Sequence, residues 1–144
     1  EADAVFLDTD VVVRKDLTLV FDENFDIGLT IRLEPIIHPT GVDITQTMPY
    51  NTGVMFSRST GKTFWQDAYQ YCLTLSNEKK EWWGDQLSVK AIADKTSLKV
   101  KTFPCDLYNY TPASENEDLS GKFVVHYKGK RRKEWMLSLP FLPG

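Results

Sequence analysis

Two carboxylates, Asp8 and Asp10, sit between the apolar runs Ala4-Val5-Phe6-Leu7 and Val11-Val12-Val13. Along an extended chain the side chains of residues i and i+2 share a side, so this pair can offer oxygen ligands to one hard divalent cation. At the carboxyl edge of an open α/β sheet, where a short buried strand ends, ligands collect. The competing reading is a solvated strand end, because Asp-x-Asp is common in loops. A second group closes another apolar strand: His126 ends Lys122-Phe123-Val124-Val125 and is followed by Tyr127 and the basic run Lys128-Gly129-Lys130-Arg131-Arg132-Lys133. Two carboxylates and an imidazole form a mixed oxygen and nitrogen shell that suits Mn²⁺ and tolerates Mg²⁺, with positions left for phosphate oxygens. A third group, Asp85-Gln86, stands at what reads as a helix start, where Asp85 would be the N-cap. A divalent metal flanked by lysine and arginine stabilises charge that develops on a departing diphosphate.

The composition limits what such a site can serve. The 144 residues carry a net charge of -3, with 42% hydrophobic and 26% charged residues. That is one ordinary globular domain, and the charge argues against a general nucleic-acid binder. The two cysteines, Cys72 and Cys105, lack metal-ligand spacing and read as reduced thiols in or near the core of a cytoplasmic enzyme. No apolar run approaches the roughly 18 residues of a spanning helix.

The elements that must position these groups follow from periodicity. Residues 17–21 suit a short strand or one helical turn, and Phe25 to Arg32 alternate as a strand with Asp26, Gly28, Thr30 and Arg32 on its second face. Three prolines between Leu33 and Pro49 predict a long loop. Tyr50-Asn51-Thr52-Gly53-Val54-Met55-Phe56-Ser57-Arg58 leads into a strand whose Gly53 permits close approach of a neighbour or ligand. A helix opens at residues 59–62 with Phe64, Ala68, Tyr71, Cys72 and Leu75 as its core stripe, and a second carries Leu87, Ala91 and Ile92 after Asp85. Residues 98–103 alternate as a strand that Pro104 stops. Asn109 to Gly121, with its acidic stretch 114–118, reads as a flexible loop. Tyr50 and Trp82-Trp83 offer flat faces for sugar stacking, against the commoner role of packing.

Four motifs in order, Phe6-Leu7-Asp8-Thr9-Asp10, Tyr50-Asn51-Thr52-Gly53-Val54-Met55, Trp83-Gly84-Asp85-Gln86 and His126-Tyr127-Lys128-Gly129, span almost the whole chain. Their order resembles the metal-dependent GT-A glycosyltransferases, above all the retaining family 8 type related to glycogenins and bacterial galactosyltransferases. The resemblance implies an α/β fold with a mixed sheet flanked by helices, and an Mn²⁺-dependent hexosyltransferase that moves sugar from a UDP-sugar to a sugar or protein acceptor. By it, Asp8, Asp10 and His126 hold the metal, Asp85 and Gln86 are the catalytic pair, and Gln86 lies near the anomeric carbon. Asn51, Thr52, Gly53, Asp85, Lys128, Gly129, Arg132 and Lys133 would bind the donor. Two departures accompany it. The family's lysine six residues after the histidine is Arg132 here, followed by Lys133 in place of proline. The strands that hold the nucleoside normally precede the acidic pair by roughly one mononucleotide-binding half, so residues 1–144 are expected to form a single partial domain that lacks that half, and whether it is active alone is left open. An open sheet edge would then allow a homo-oligomer.

Two other readings remain open. Haloacid dehalogenase-like phosphatases also begin with an apolar strand and Asp-x-Asp, but need a later lysine and a second acidic pair, where Ser88 and Val89 follow Gly84-Asp85. A non-catalytic interaction domain would keep the fold without requiring metal at Asp8, Asp10 and His126.

Overall fold

A computed structural model describes residues 2–37 and 40–140. Among the described residues six strands and four α-helices run in the order β1 (Ala4–Leu7), β2 (Val11–Val13), β3 (Ile27–Ile31), β4 (Tyr50–Ser57), α1 (Lys62–Thr74), α2 (Asn77–Ala93), β5 (Val100–Pro104), α3 (Cys105–Tyr108), β6 (Val124–His126) and α4 (Lys130–Leu137). Four strands make a mixed sheet in the order β1-β4-β3-β5, in which only β3 and β5 are parallel. The short strands β2 and β6 pair separately and antiparallel. The expected mixed α/β sheet with flanking helices is what the chain forms. Its free edges are β1 and β5, where self-pairing would have to occur.

Alternation along β3 and β4 builds two cores. Ile27 and Leu29 of β3 pack on Phe64 and Ala68 of α1 and on Val89 and Ile92 of α2. Val54 and Phe56 of β4 turn to the other face, where Val20, Phe25, Phe103 and Val124 close over them. Phe25 belongs to this second layer because the strand begins at Ile27. With both faces covered, Gly28 and Thr30 are buried too. Emptying such a site, as in Phe56→Ala, costs about 3–5 kcal/mol.

The ambiguous stretch at 17–21 folds as a 3₁₀ helix over Thr18–Asp22. The loop from Leu33 to Pro49 contains a further 3₁₀ turn at Ile44–Gln46, and its residues 38 and 39 lie outside the described residues. The acidic loop is tied down: Glu117 accepts hydrogen bonds from the Tyr110 hydroxyl and the Ala113 amide, and Leu119 is buried.

One helix boundary differs from expectation. Asp85 is no N-cap: α2 starts eight residues earlier, where the Ser76 hydroxyl accepts from the Lys79 amide at 3.4 Å and Glu78 sits in the first turn. Gly84, which the sequence reading places before the helix, is an interior helix position. A Cβ there would stand 3.1 Å from Cys72 Sγ of α1, so the missing side chain lets the two helices meet. The basic run, whose place after the last strand reads as a turn, is helical instead. Gly129, with φ of 87°, starts α4, and residues 130–133 are its first turn.

Candidate functional site

Strand register brings the acidic pair and the histidine together. The β1–β4 ladder continues one residue past Leu7, with the Asp8 amide donating to the Gly53 carbonyl at 3.0 Å. In the β2–β6 pair, Val11 faces His126, and the Tyr127 amide donates to the Asp10 carbonyl at 2.8 Å. Two separate ladders thus deliver Asp8 and Asp10 to the same imidazole. One ligand atom from each of Asp8, Asp10 and His126 lies within 4.8 Å of the others. His126 Nε2 is 3.1 Å from Asp10 Oδ1 and 3.6 Å from Asp8 Oδ2. Lys133, from the first turn of α4, reaches Asp10 Oδ2 at 3.1 Å.

Gly53 makes room for this meeting. A Cβ there would fall 2.3 Å from His126 Cε1, 2.5 Å from Nδ1 and 3.1 Å from Asp8 Oδ2. The close approach expected of this glycine is to the imidazole.

The hydrogen-bond network fixes the ring's tautomer. Asn109 Nδ2 donates to the Asn51 carbonyl at 3.1 Å and to Thr30 Oγ1 at 2.8 Å. A carbonyl only accepts, so the amide nitrogen of Asn109 must face it, and Oδ1 faces His126 Nδ1 at 2.9 Å. Nδ1 therefore carries the proton and Nε2 presents its lone pair to the two carboxylates. Burial holds the His126 pKa below its ordinary 6.5 against the opposing pull of Asp10 and Asp8, which favours this neutral ring. At Asp10 burial works the other way, but the Lys133 hydrogen bond and the His126 ring outweigh it and the carboxyl lies below its ordinary 3.8. Three acceptors facing one point are mutually unfavourable until a cation joins them, and an oriented imidazole with two carboxylates is a fitting divalent-metal set. Asp8, Asp10 and His126 would hold such an ion.

Thr52 Oγ1 donates to Asp85 Oδ2, tying β4 to α2. Gln86 Oε1 accepts from Arg32 NH2 at 2.7 Å, and the same guanidinium donates to the Met48 and Tyr50 carbonyls. Asn51 and Lys128 line a cavity of about 640 Å³ shared with Arg32, Cys105, Asn109 and Tyr110. Arg132 is committed elsewhere, its Nε donating to the Pro112 carbonyl at 2.6 Å and its NH1 to the Lys128 carbonyl at 3.4 Å. Lys133, not Arg132, is thus the cation beside the acidic pair. Gly129 is exposed and a Cβ there would meet nothing within 4 Å. Trp83 is exposed, Tyr50 packs beside the α1–α2 core, and the side chain of Trp82 lies outside the described residues.

Asn109, Thr30 and Arg32 were not distinguishable as site residues in the sequence. Asn109 opens a polar loop, and its partners lie 79 and 58 residues away.

One solved structure, described as the "crystal structure of a glycosyltransferase involved in the glycosylation of the major capsid of PBCV-1", superposes with a TM-score of 0.65 at 17% sequence identity. The chain has a glycosyltransferase-like fold. The likeness covers 94% of this chain, which spans 66% of that one. No protein-family model and no curated protein matches the sequence. Among the described residues no helix is long and apolar enough to cross a membrane.

Proposed function

We propose that the chain belongs to a metal-dependent glycosyltransferase of the family 8 kind, which moves a sugar from a nucleoside diphosphate donor, a UDP-sugar, to a sugar or protein acceptor. The observation that carries this reading is the Asp8–Asp10–His126 group, with Nε2 turned to both carboxylates by Asn109. A bound Mn²⁺ or Mg²⁺ would supply charge stabilisation at the departing diphosphate. The chain's own residues do the rest. Lys133, held at Asp10, adds a cation on the same side. Asp85, oriented by Thr52, accepts hydrogen bonds from donor-sugar hydroxyls, and Gln86, oriented by Arg32, presents its amide toward the anomeric carbon. Asn51, Thr52 and Gly53 form the strand over which the sugar lies, and Gly129 leaves the backbone open at the start of α4.

The phosphatase alternative has less support. It needs further carboxylates at the metal, and among the described residues no other Asp, Glu, Cys or His joins this group. An interaction domain does not require the three-ligand group at Asp8, Asp10 and His126.

The test is turnover. UDP release from UDP-glucose and UDP-galactose, measured with Mn²⁺ and with chelator, should require the metal and should be lost in Asp10→Asn. Metal-independent release, or release unchanged in Asp10→Asn, would defeat the proposal.

A further inference from the structure

The wall of the cavity beside the metal group holds two cations, Arg32 and Lys128, that no described carboxylate pairs: Asp85 acts on Arg32 and Asp10 on Lys128 only through space, without an ion-pair contact. Arg32 follows β3 and donates only to neutral oxygens, the Met48 and Tyr50 carbonyls and Gln86 Oε1. Its Nε is buried without any partner. Lys128 lines the same cavity, and among the described residues neither cation has a carboxylate within ion-pairing distance. The carboxylates that share the wall do not compensate them. Asp106 is held by Lys122 at 2.8 Å, and Glu34 is exposed at the rim. The Cys105 thiol interacts with both cations, but burial pushes its pKa up, so it is neutral. Like charges that share a partly buried wall repel with little solvent screening, and an anion placed between them relieves this.

We propose that the cavity is a subsite for a sugar that bears a negative charge, a uronate or a sugar phosphate, bound by Lys128 with Arg32 behind it. That the occupant is a saccharide rests on the glycosyltransferase reading; that it is anionic rests on the charges. The donor's diphosphate has its own cation, because Lys133 and not Lys128 touches the acidic pair. The cavity also meets the metal group through Asn109, which binds the Nδ1 edge of the imidazole, away from Nε2. A neutral sugar would leave both charges as they are.

The experiment follows amide chemical shifts of the protein with Mg²⁺ during titration with glucuronate, glucose 6-phosphate and glucose, with and without saturating UDP. Charge-assisted hydrogen bonds predict that both anionic sugars bind at least about tenfold more tightly than glucose. Lys128→Met and Lys128→Gln, which keep a long stem and a dispersed spectrum, should abolish that preference. Equal affinity for glucose and glucuronate, a preference that survives both variants, or displacement of the anionic sugars by UDP would overturn the proposal. UDP-glucuronate and UDP-glucose, titrated in the same proteins, identify the source of the charge. A Lys128-dependent preference between these donors assigns it to the transferred sugar, and equal donor binding beside a retained preference for free uronate assigns it to the acceptor. If wild-type protein fails to bind UDP yet keeps the Lys128-dependent preference, the glycosyltransferase reading fails and the anion subsite stands.

Discussion

Gly53→Ala places one methyl group against the imidazole on which the metal group depends. The new Cβ would lie 2.3 Å from His126 Cε1 and 2.5 Å from Nδ1. Non-bonded carbon atoms settle at about 3.5–4.0 Å, so the ring must retreat by more than about 1 Å. Ligand positions in a metal site tolerate about ±0.2 Å. Such a retreat removes His126 from the shell and also breaks its 2.9 Å contact with Asn109. Disturbing only the outer partners of a metal ligand costs about 10–100-fold in affinity, so displacing the ligand itself should cost at least about 100-fold. Overpacking should cost about 1–3 kcal/mol of stability. Calorimetric titration with Mn²⁺ reads the first effect and urea unfolding the second. Gly121→Ala is the control, since a Cβ at Gly121 meets nothing within 4 Å. If Gly53→Ala folds and binds Mn²⁺ within about threefold of wild type, the proposed convergence of β4 on His126 is wrong.

Three further outcomes follow from the same geometry. Asn109→Ala should weaken Mn²⁺ by about 10–100-fold, because the imidazole loses the acceptor that fixes its tautomer; unchanged affinity would show that the contact does not orient the ring. A proton competes with the metal for Nε2, and burial holds the His126 pKa below 6.5. Mn²⁺ affinity should therefore be flat above about pH 7 and fall by up to about tenfold per unit once pH drops below the imidazole's own value. The metal-free protein should also lose stability on acidification through that window, because the unfolded chain, with the higher pKa, binds the proton first; an affinity still climbing between about pH 7 and 8 would contradict both statements. Lys133→Met should weaken UDP in the presence of Mn²⁺ by about tenfold through loss of one charge-assisted contact, whereas Arg132→Met should lower thermal stability by freeing the loop at Pro112. The reverse assignment in isothermal titration and melting experiments would mean that Arg132 is the phosphate-binding cation.

The residues that carry the site differ in how far sequence alone reveals them. Asp8 and Asp10 announce themselves as carboxylates between two apolar runs, although Thr9 and Asp10 form a turn between β1 and β2 where strand alternation was expected, and His126 because it ends an apolar run. Gly53 is legible as a place of close approach, although what approaches it comes from β6, 73 positions along the chain by numbering. Asn109 is invisible for the opposite reason. Nothing in its neighbourhood distinguishes it from a polar loop residue until β3, β4 and β6 are assembled around it. The β3 and β4 strands are readable because their side chains alternate between two cores, but alternation would put Phe25 and Ile27 on one face, and they separate into different layers because β3 begins only at Ile27. The start of α2 is misread because Gly84 weakens local helix propensity by about 1 kcal/mol relative to alanine, a cost offset by its contact with α1. The basic run misleads similarly: four cations at a helix N-terminus oppose the helix dipole, a cost offset by the packing of Trp135 and Met136 on Val125 and Tyr127 and by the contacts of Lys133 with Asp10 and Arg132 with Pro112.

The central claim, a diphosphate site completed by a metal on Asp8, Asp10 and His126, is tested most directly by titrating UDP calorimetrically into wild-type protein and Asp10→Asn, each with and without Mn²⁺. Mn²⁺ should tighten UDP binding by at least about tenfold in wild type and leave it unchanged in Asp10→Asn. UDP binding that is indifferent to Mn²⁺, or equally enhanced by it in the variant, would contradict it.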